Sequence, residues 1–285
     1  MRNTVLFGNG LNRISEKSVS WEALLDKPFQ HNELPNTMVY ERIFMEKHKA
    51  NSSEQADELK IKQTIADAMK DQGSNELFEL LAKMKIENYL TTNYDYAFEK
   101  AINLEPDKLS TEEIYSLRRK RSYKYKDSIK SLWNLHGEID HPKSIMLGLD
   151  HYVGSVSKID SYIKGKYKHT VKGKNISVLP MIDKLQRNKF CHTSWVDFFF
   201  SSNVHIIGLS LDYSETDIWW LLNKRARYAV EGLVKNKIYF YTGNIDQEKK
   251  GLLKSFDVEV ELVKSNTLNP DYKSIYRTAI NSISA

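Results

Sequence analysis

The sequence predicts an α/β fold in which a parallel sheet carries helices on both faces. Five short apolar runs have the length and composition of buried strands, at residues 4–7, 86–90, 132–135, 204–208 and 237–241. Segments with helical spacing of apolar residues, such as 75–84 and 96–102, lie between them. Strands that alternate with helices imply a parallel sheet, which binds ligands beyond the carboxyl ends of its strands.

Each predicted strand runs directly into glycine or polar residues. These clusters are, in chain order, GNG at 8–10, TTNYD at 91–95, HG at 136–137, GLSLD at 208–212 and TGN at 242–244. Because the carboxyl ends of parallel strands meet at one edge of a sheet, we expect the clusters to converge in space.

The whole chain, residues 1–285, is assigned to a single domain, which includes the segments between the predicted strands. A polar segment with helical apolar spacing predicts a helical insertion at about residues 30–75. The long stretch at about residues 146–202 lacks clear alternation and is interpreted as a lid or small module.

Composition narrows the class of protein. A chain of 285 residues, 41% hydrophobic and 28% charged, is long enough to bury one large core. No window approaches the ~20 apolar residues of a membrane span, so a cytoplasmic location is expected. Cys191 is the single cysteine, which excludes an internal disulfide and a cysteine-only zinc site, and we expect no metal.

The formal net charge is +5, with basic clusters at residues 118–130 and 158–174. A solvated, lysine-rich surface is the favoured interpretation of both clusters. A nucleic-acid partner is the less favoured alternative.

The first loop suits a phosphate group, because Gly8 and Gly10 let the backbone approach a pyrophosphate. A standard dinucleotide fingerprint would have a third glycine where this chain has Arg13, which disfavours an ordinary dehydrogenase. A tight turn that only ends the strand is an equally good interpretation of this motif alone.

Three polar residues after the second and third strands are candidates for chemistry. Asn93 is interpreted as functional, whereas Asp95 either contacts a ligand or caps the next helix. His136 ends a strand beside Gly137, whose missing side chain would leave the imidazole room to meet a ligand. We expect His136 to be a general base near neutral pH.

The fourth cluster offers Ser210 and Asp212 as contacts for ribose or phosphate. Residues 214–217 also look like the capped start of a helix, with Ser214 as the cap.

Together these clusters resemble the sirtuin superfamily, which has a glycine-rich first loop, a Thr-x-Asn-x-Asp turn, a His-Gly and a late Gly-x-Ser. The resemblance covers roughly residues 1–12, 86–101, 132–152 and 204–223, and it implies a Rossmann-like domain that binds NAD. Deacetylating sirtuins carry a four-cysteine zinc module that this chain lacks. The chain is more similar to zinc-free bacterial sirtuin-like NAD hydrolases, many of which deplete NAD in antiphage defence.

The resemblance implies catalytic roles for two residues. Asn93 would orient a ribose hydroxyl or the attacking water, and neutral His136 would accept a proton. Asp95 would position the nicotinamide end. The residues implied around the NAD are Gly8, Asn9, Gly10, Asn12, Thr92, Asp95, Gly208 and Ser210. Asn12 stands in the loop where sirtuins usually have a serine.

Three functions remain in competition. The leading one is hydrolysis of NAD to nicotinamide and ADP-ribose as an antiphage effector. The second is transfer of ADP-ribose to a macromolecule, and the third is a sensor or assembly module that binds NAD or ADP-ribose without turnover. A toxic hydrolase must be held inactive, so we expect a homo-oligomer or a regulatory partner protein.

Overall fold

The computed structural model describes residues 1–15, 18–19, 34–50, 58–103, 114–126, 128–264 and 271–284. Its strands are β1 (Asn3–Phe7), β2 (Asn88–Thr91), β3 (Lys120–Tyr125), β4 (Ser128–Asn134), β5 (Lys168–Val171), β6 (Lys174–Ser177), β7 (Asn203–Ile207), β8 (Ile238–Thr242) and β9 (Val258–Leu262). Its helices are α1 (Asn36–Ala50), α2 (Glu58–Met69), α3 (Glu76–Lys83), α4 (Ala97–Ala101), α5 (Leu149–Ile163), α6 (Met181–Gln186), α7 (Phe198–Ser201), α8 (Thr216–Val230), α9 (Gln247–Ser255) and α10 (Tyr272–Ser284). Short 3₁₀ helices lie at Asn9–Ile14, Pro142–Ser144 and Trp195–Asp197.

The main sheet has the strand order β3-β4-β2-β1-β7-β8-β9. All neighbouring strands in it are parallel except β3, which pairs antiparallel with β4. The chain leaves β1 toward β2 on one side and later places β7 on the other side, so the strand order reverses between β1 and β7. The predicted Rossmann-like parallel sheet is confirmed, and this reversal is where such sheets bind ligands.

Alternate residues of the strands enter two separate cores, which puts helices on both faces. On β1, Leu6 packs on one face with side chains of α5, α8 and α9. Val5 and Phe7 point to the other face and pack with side chains of α3, α4 and α10. This period of two is the pattern of a strand buried on both sides.

The predicted helical insertion contains α1 and α2, while residues 51–57 lie outside the described residues. Val39 and Ile43 of α1 and Ile65 of α2 share a third apolar cluster with side chains from the loops after β2 and β4. The two helices therefore rest on the loops that carry the candidate polar clusters.

The segment at residues 146–202, interpreted from sequence as a lid or small module, contributes to the main core. Ile159 and Tyr162 of α5 and Phe199 of α7 are fully buried against the strands. The two-stranded sheet β5-β6 projects from this segment, and most of its residues are exposed.

The solvated-surface interpretation of residues 118–130 is wrong for three of the basic side chains. Arg119, Arg121 and Lys130 are at most 3% exposed. This part of the chain forms the edge hairpin β3-β4, and alternate residues of β3 face inward. The Lys130 ammonium donates hydrogen bonds to the carbonyl oxygens of Met84 and Ile86.

Among the described residues, no helix combines the length and the apolar character needed to cross a membrane.

Candidate active site

A cavity of about 680 Å³ opens at the carboxyl ends of the central strands. It is bounded by the loops that follow β1, β2, β4, β7 and β8 and by one side of α10. The polar side chains on its wall include Asn9, Arg13, Thr92, Asn93, His136, Ser210, Asp212, Glu215, Thr242, Asn244 and Lys249. The five polar clusters that follow the predicted strands therefore converge, as expected.

The loops after β1 and β7 cross in direct contact beneath this cavity. The amide of Gly10 donates a hydrogen bond of 2.7 Å to the carbonyl oxygen of Gly208. A Cβ atom on Gly10 would lie 2.6 Å from that oxygen and 2.6 Å from the Tyr276 hydroxyl. Gly208 has a φ of +63°, which favours glycine. Glycine is required here by the contact between the two loops.

The side chain of Asn93 is buried in the cavity wall. Its backbone amide donates to the hydroxyl of Thr91 at 3.0 Å, which fixes the start of the loop after β2. The side chain is only 5% exposed, yet neither its amide nitrogen nor its oxygen has a hydrogen-bond partner among the described residues. A buried amide without partners is costly, so this geometry favours a ligand that supplies them.

His136 lies at the end of β4 and is paired with an acid from another element. Its Nε2 lies 3.1 Å from Oδ2 of Asp217 on α8, and the same oxygen accepts a hydrogen bond from the Ser155 hydroxyl at 2.9 Å. The carboxylate places the ring proton on Nε2, which leaves Nδ1 with the lone pair. The ring of Tyr152 packs edge-on against the imidazole, with 5.2 Å between centroids.

The pKa of His136 reflects two opposing effects. Burial, the largest single effect, lowers the pKa because it disfavours the charged ring, but the charge and hydrogen bond of Asp217 and the charge of Glu215 together raise the pKa by more. The net pKa is above that of an ordinary histidine, so His136 is a stronger base than the free side chain.

Glycine is required at position 137 by the backbone geometry. Its φ is +110°, and a Cβ atom would collide with the backbone of Ser144 and Ile145. The absence of a side chain at Gly137 therefore lets the backbone at residues 144–145 pass close beside it.

A buried ion network ties the loop of Asn93 to the loop of His136. Arg121 of β3 donates to Glu138, which follows His136 by two residues, and to the Tyr96 hydroxyl at 2.9 Å, which follows Asn93 by three. Arg121 also contacts the Glu99 carboxylate at 3.2 Å. Arg121 thus joins the two loops to each other.

The structure divides the sequence-predicted site residues into two sets. Those on the cavity wall are Asn9, Gly10, Thr92, Asn93, His136, Gly208 and Ser210. Gly8, Asn12 and Asp95 lie behind the wall. The Asn12 amide donates to one oxygen of Asp95 at 2.7 Å, and the backbone amide of Ala97 donates to the other at 2.8 Å. Asp95 is not the N-cap of α4, because Tyr96 occupies that position, but its carboxylate accepts a hydrogen bond from the first amide of the helix.

Two acidic residues of the site were not found from sequence. Asp217 and Glu215 were attributed to a capped helix start, and Ser214 was expected to be its cap. That expectation is wrong, because α8 begins at Thr216 without a side-chain cap, and the backbone amide of Ser214 donates to Asp212 at 2.8 Å. Asp217 and His136 are 81 positions apart in the chain, so the sequence around either residue gives no sign that they form a pair.

Within the described ranges, no group of three or more His, Cys, Asp or Glu side chains is placed to hold a metal ion. Cys191 is free and exposed.

The resemblance that the motifs predicted is found over part of the chain. Residues 87–179, which carry Asn93 and His136, match the family described as SIR2-like domain. The chain is also similar to the NAD(+) hydrolase ThsA of Bacillus cereus (strain MSX-D12), with 29% identity over 164 residues. That similarity covers 57% of this chain and 33% of the relative, so the chain matches about a third of the relative's length.

We expect Gly10→Ala to destabilise the protein, because its Cβ would force apart the two crossing loops. Overpacking of this kind costs about 1–3 kcal/mol of the free energy of unfolding. Urea denaturation would measure the change. The control is Gly251→Ala on α9, where no described atom lies within 4 Å of the added Cβ and a gain of about 0.5–1 kcal/mol is expected. Equal stability of Gly10→Ala and the parent would contradict the loop contact.

We expect Asp217→Asn to lower the pKa of His136, because the amide keeps a polar partner but removes the negative charge. Titration of the imidazole signals by NMR would measure the pKa, with His136→Gln used to assign the signal. The matched control, Asp183→Asn at a partly exposed position of α6, should leave the pKa of His136 unchanged. An unchanged pKa in Asp217→Asn would mean that the pair carries no charge coupling.

Proposed function

We propose that this protein is an NAD glycohydrolase, which cleaves the bond between nicotinamide and ribose and releases ADP-ribose. The observation that carries the proposal is that His136 and the Asn93 amide, which has no hydrogen-bond partner among the residues described, both line one cavity. The cavity lies where the strand order of a Rossmann-like sheet reverses, which is where such sheets bind dinucleotides.

The similarities support a substrate of this kind. The matched segment belongs to a family whose name refers to sirtuins, and the similar Bacillus cereus protein is named as an NAD(+) hydrolase. The volume of about 680 Å³ is within the range of pockets that hold small ligands and cofactors.

In this proposal one catalytic residue orients the group that loses a proton, and the other accepts that proton. The Asn93 amide binds a ribose hydroxyl or the attacking water and orients it. His136 accepts a proton at Nδ1 from that water or hydroxyl, and Asp217 stabilises the imidazolium that forms. Nicotinamide is a cationic leaving group, so its departure needs little acid catalysis. The pocket contributes a fixed polar environment for the charge that develops on the ribosyl group.

The remaining predicted residues hold the dinucleotide in place. Gly10, Gly208 and Ser210 form the floor on which the phosphates and the adenosine ribose rest. Asn9 and Thr92 complete the wall beside them. The other three, Gly8, Asn12 and Asp95, act from behind by fixing these loops.

We expect the purified chain to release nicotinamide from NAD, and Asn93→Ala and His136→Ala to lose at least a hundredfold in rate, since a positioned acid or base contributes about 10²–10⁴-fold. Release is followed by chromatography over a range of protein concentrations. A rate that rises more steeply than concentration would indicate activation by oligomerisation. Adenylate-labelled NAD distinguishes hydrolysis from transfer, because the label stays small in the first case and becomes macromolecular in the second.

The matched controls are His141→Ala and Asn281→Ala, both with exposed side chains, which should retain the parent rate. The assignment fails if His136→Ala and Asn93→Ala cleave NAD as fast as the parent. NAD binding without release at any concentration would instead favour a partner-gated enzyme or a binding module.

We further propose that the activity depletes cellular NAD in antiphage defence, under control of oligomerisation or a regulatory partner. Bacteria that produce the parent should lose NAD after infection by a restricted phage, whereas bacteria that produce His136→Ala should not. Metabolite extraction at intervals after infection measures the pool. Equal NAD pools in the two strains, with phage growth restricted in both, would show that defence does not depend on NAD cleavage and would contradict this proposal.

A further inference from the structure

Glu215 is a carboxyl group in the cavity wall that the proposed chemistry does not use. It lies in the loop between β7 and α8, and its Oε2 is shielded from solvent and has no hydrogen-bond partner among the described residues. We propose that the Glu215 carboxylate faces the cationic nicotinamide ribosyl group and makes the cavity select the oxidised over the reduced dinucleotide. This inference rests on the proposed function and names a specificity-determining residue for it.

The charges on the cavity wall are arranged in a way that suits such a substrate. Arg13 lies on the wall beside the first glycine loop, whereas Glu215 lies near His136. Asp212 and one cation, Lys249, lie near Glu215, so this side of the cavity has more acidic than basic groups. NAD is negative at its pyrophosphate and positive at its nicotinamide. Opposite charges within contact distance attract most strongly where water is excluded, so this arrangement orients the dinucleotide with its nicotinamide toward the acidic side.

The Asn93 amide gives a second, independent reason to place a ligand group at this side. It is buried on the same wall with neither polar atom satisfied by the described protein. The two polar atoms of the Asn93 amide and Oε2 of Glu215, which have no hydrogen-bond partner within the described part of the chain, match a ligand group that has hydrogen-bonding atoms and a positive charge. The nicotinamide ring with its carboxamide and the adjoining ribose have both.

The protonation state of Glu215 sets the pH range in which it can act. Burial raises the pKa of Glu215 to about 7; His136 lowers it, and Asp217 and Asp212 raise it. The carboxyl is therefore ionised above about pH 7 and neutral below it. The titratable groups that face it are Tyr94 after β2, His136 after β4, Tyr152 on α5, Asp212 in its own loop, Asp217 on α8 and Lys249 on α9.

The carboxylate also lies near the charge that moves during cleavage. When the N-glycosidic bond breaks, its electron pair stays on the pyridine nitrogen and the positive charge passes to the ribosyl carbon. The oxygen of water then forms the new bond to that carbon and loses its proton to His136. One fixed negative charge at Glu215 stabilises the cation both before and after the bond breaks.

The test compares binding of three probes to the parent and Glu215→Gln at pH 8 by calorimetry. Carbocyclic NAD⁺ has the positively charged nicotinamide but no cleavable N-glycosidic bond. NADH has an uncharged dihydronicotinamide ring, and ADP-ribose has no nicotinamide. We expect Glu215→Gln to weaken carbocyclic NAD⁺ about tenfold, which is about 1.4 kcal/mol. The affinities of Glu215→Gln for NADH and ADP-ribose should stay within about twofold of the parent's, because the lost carboxylate charge interacts mainly with the positively charged ring.

Glu248→Gln is the matched control, because Glu248 is an exposed acid on α9 that does not line the cavity. It should bind all three probes as the parent does. Equal weakening of the three probes by Glu215→Gln, or no weakening of any, would overturn the inference. Glu215→Ala provides the same comparison if circular dichroism shows that Glu215→Gln is unfolded.

The two proposals can fail separately. If the parent neither binds these probes nor releases nicotinamide, the proposed function fails. If the parent binds and cleaves NAD and Glu215→Gln keeps the preference for the cationic probe, only the role of Glu215 fails.

Discussion

The contact between the loops after β1 and β7 is the constraint on which the candidate site depends. The amide of Gly10 and the carbonyl of Gly208 meet at the point where the strand order reverses, and neither position leaves room for a side chain. This contact closes the floor of the cavity. Because the floor is made of backbone, it brings a ligand close to the ends of both strands without any side chain between them.

A second constraint acts at the other side of the cavity, where Asn93 and His136 lie in the loops that follow two separate strands. Their relative position depends on Arg121, which reaches Tyr96 in one loop and Glu138 in the other. Removing one member of such a buried ion network leaves an uncompensated charge, which costs about 3–5 kcal/mol. The network is therefore a rigid support for the site, built from residues that never meet the cavity.

The local pattern of the sequence predicted the central strands and the polar clusters after them. These features depend on short apolar runs and on the glycines and polar residues that end them, which are neighbours in the chain. The Rossmann-like sheet, Asn93 and His136 followed from that pattern and from the sirtuin resemblance. The helical insertion was placed from the same kind of local signal, and α1 and α2 lie inside it.

The features that sequence could not predict are contacts between distant segments. Asp217 pairs with His136 across 81 positions, and its local context is that of an ordinary helix start. The charge of Arg121 suggested a solvated surface, because burial of a cation depends on acids that the chain supplies elsewhere. The close approach of Gly137 to the backbone of Ser144 likewise has no signal in the local sequence.

The two outer strands of the sheet have consequences for how copies of this protein meet. The exposed positions of β3 include Lys120 and Lys124, while β9 carries Glu259 and Glu261. Edge strands have unpaired backbone groups that promote aggregation, and charged side chains discourage it. Lysines at one edge repel the same edge of another molecule, and glutamates do so at the other. Charge repulsion thus disfavours pairing of β3 with β3, or of β9 with β9, between two molecules.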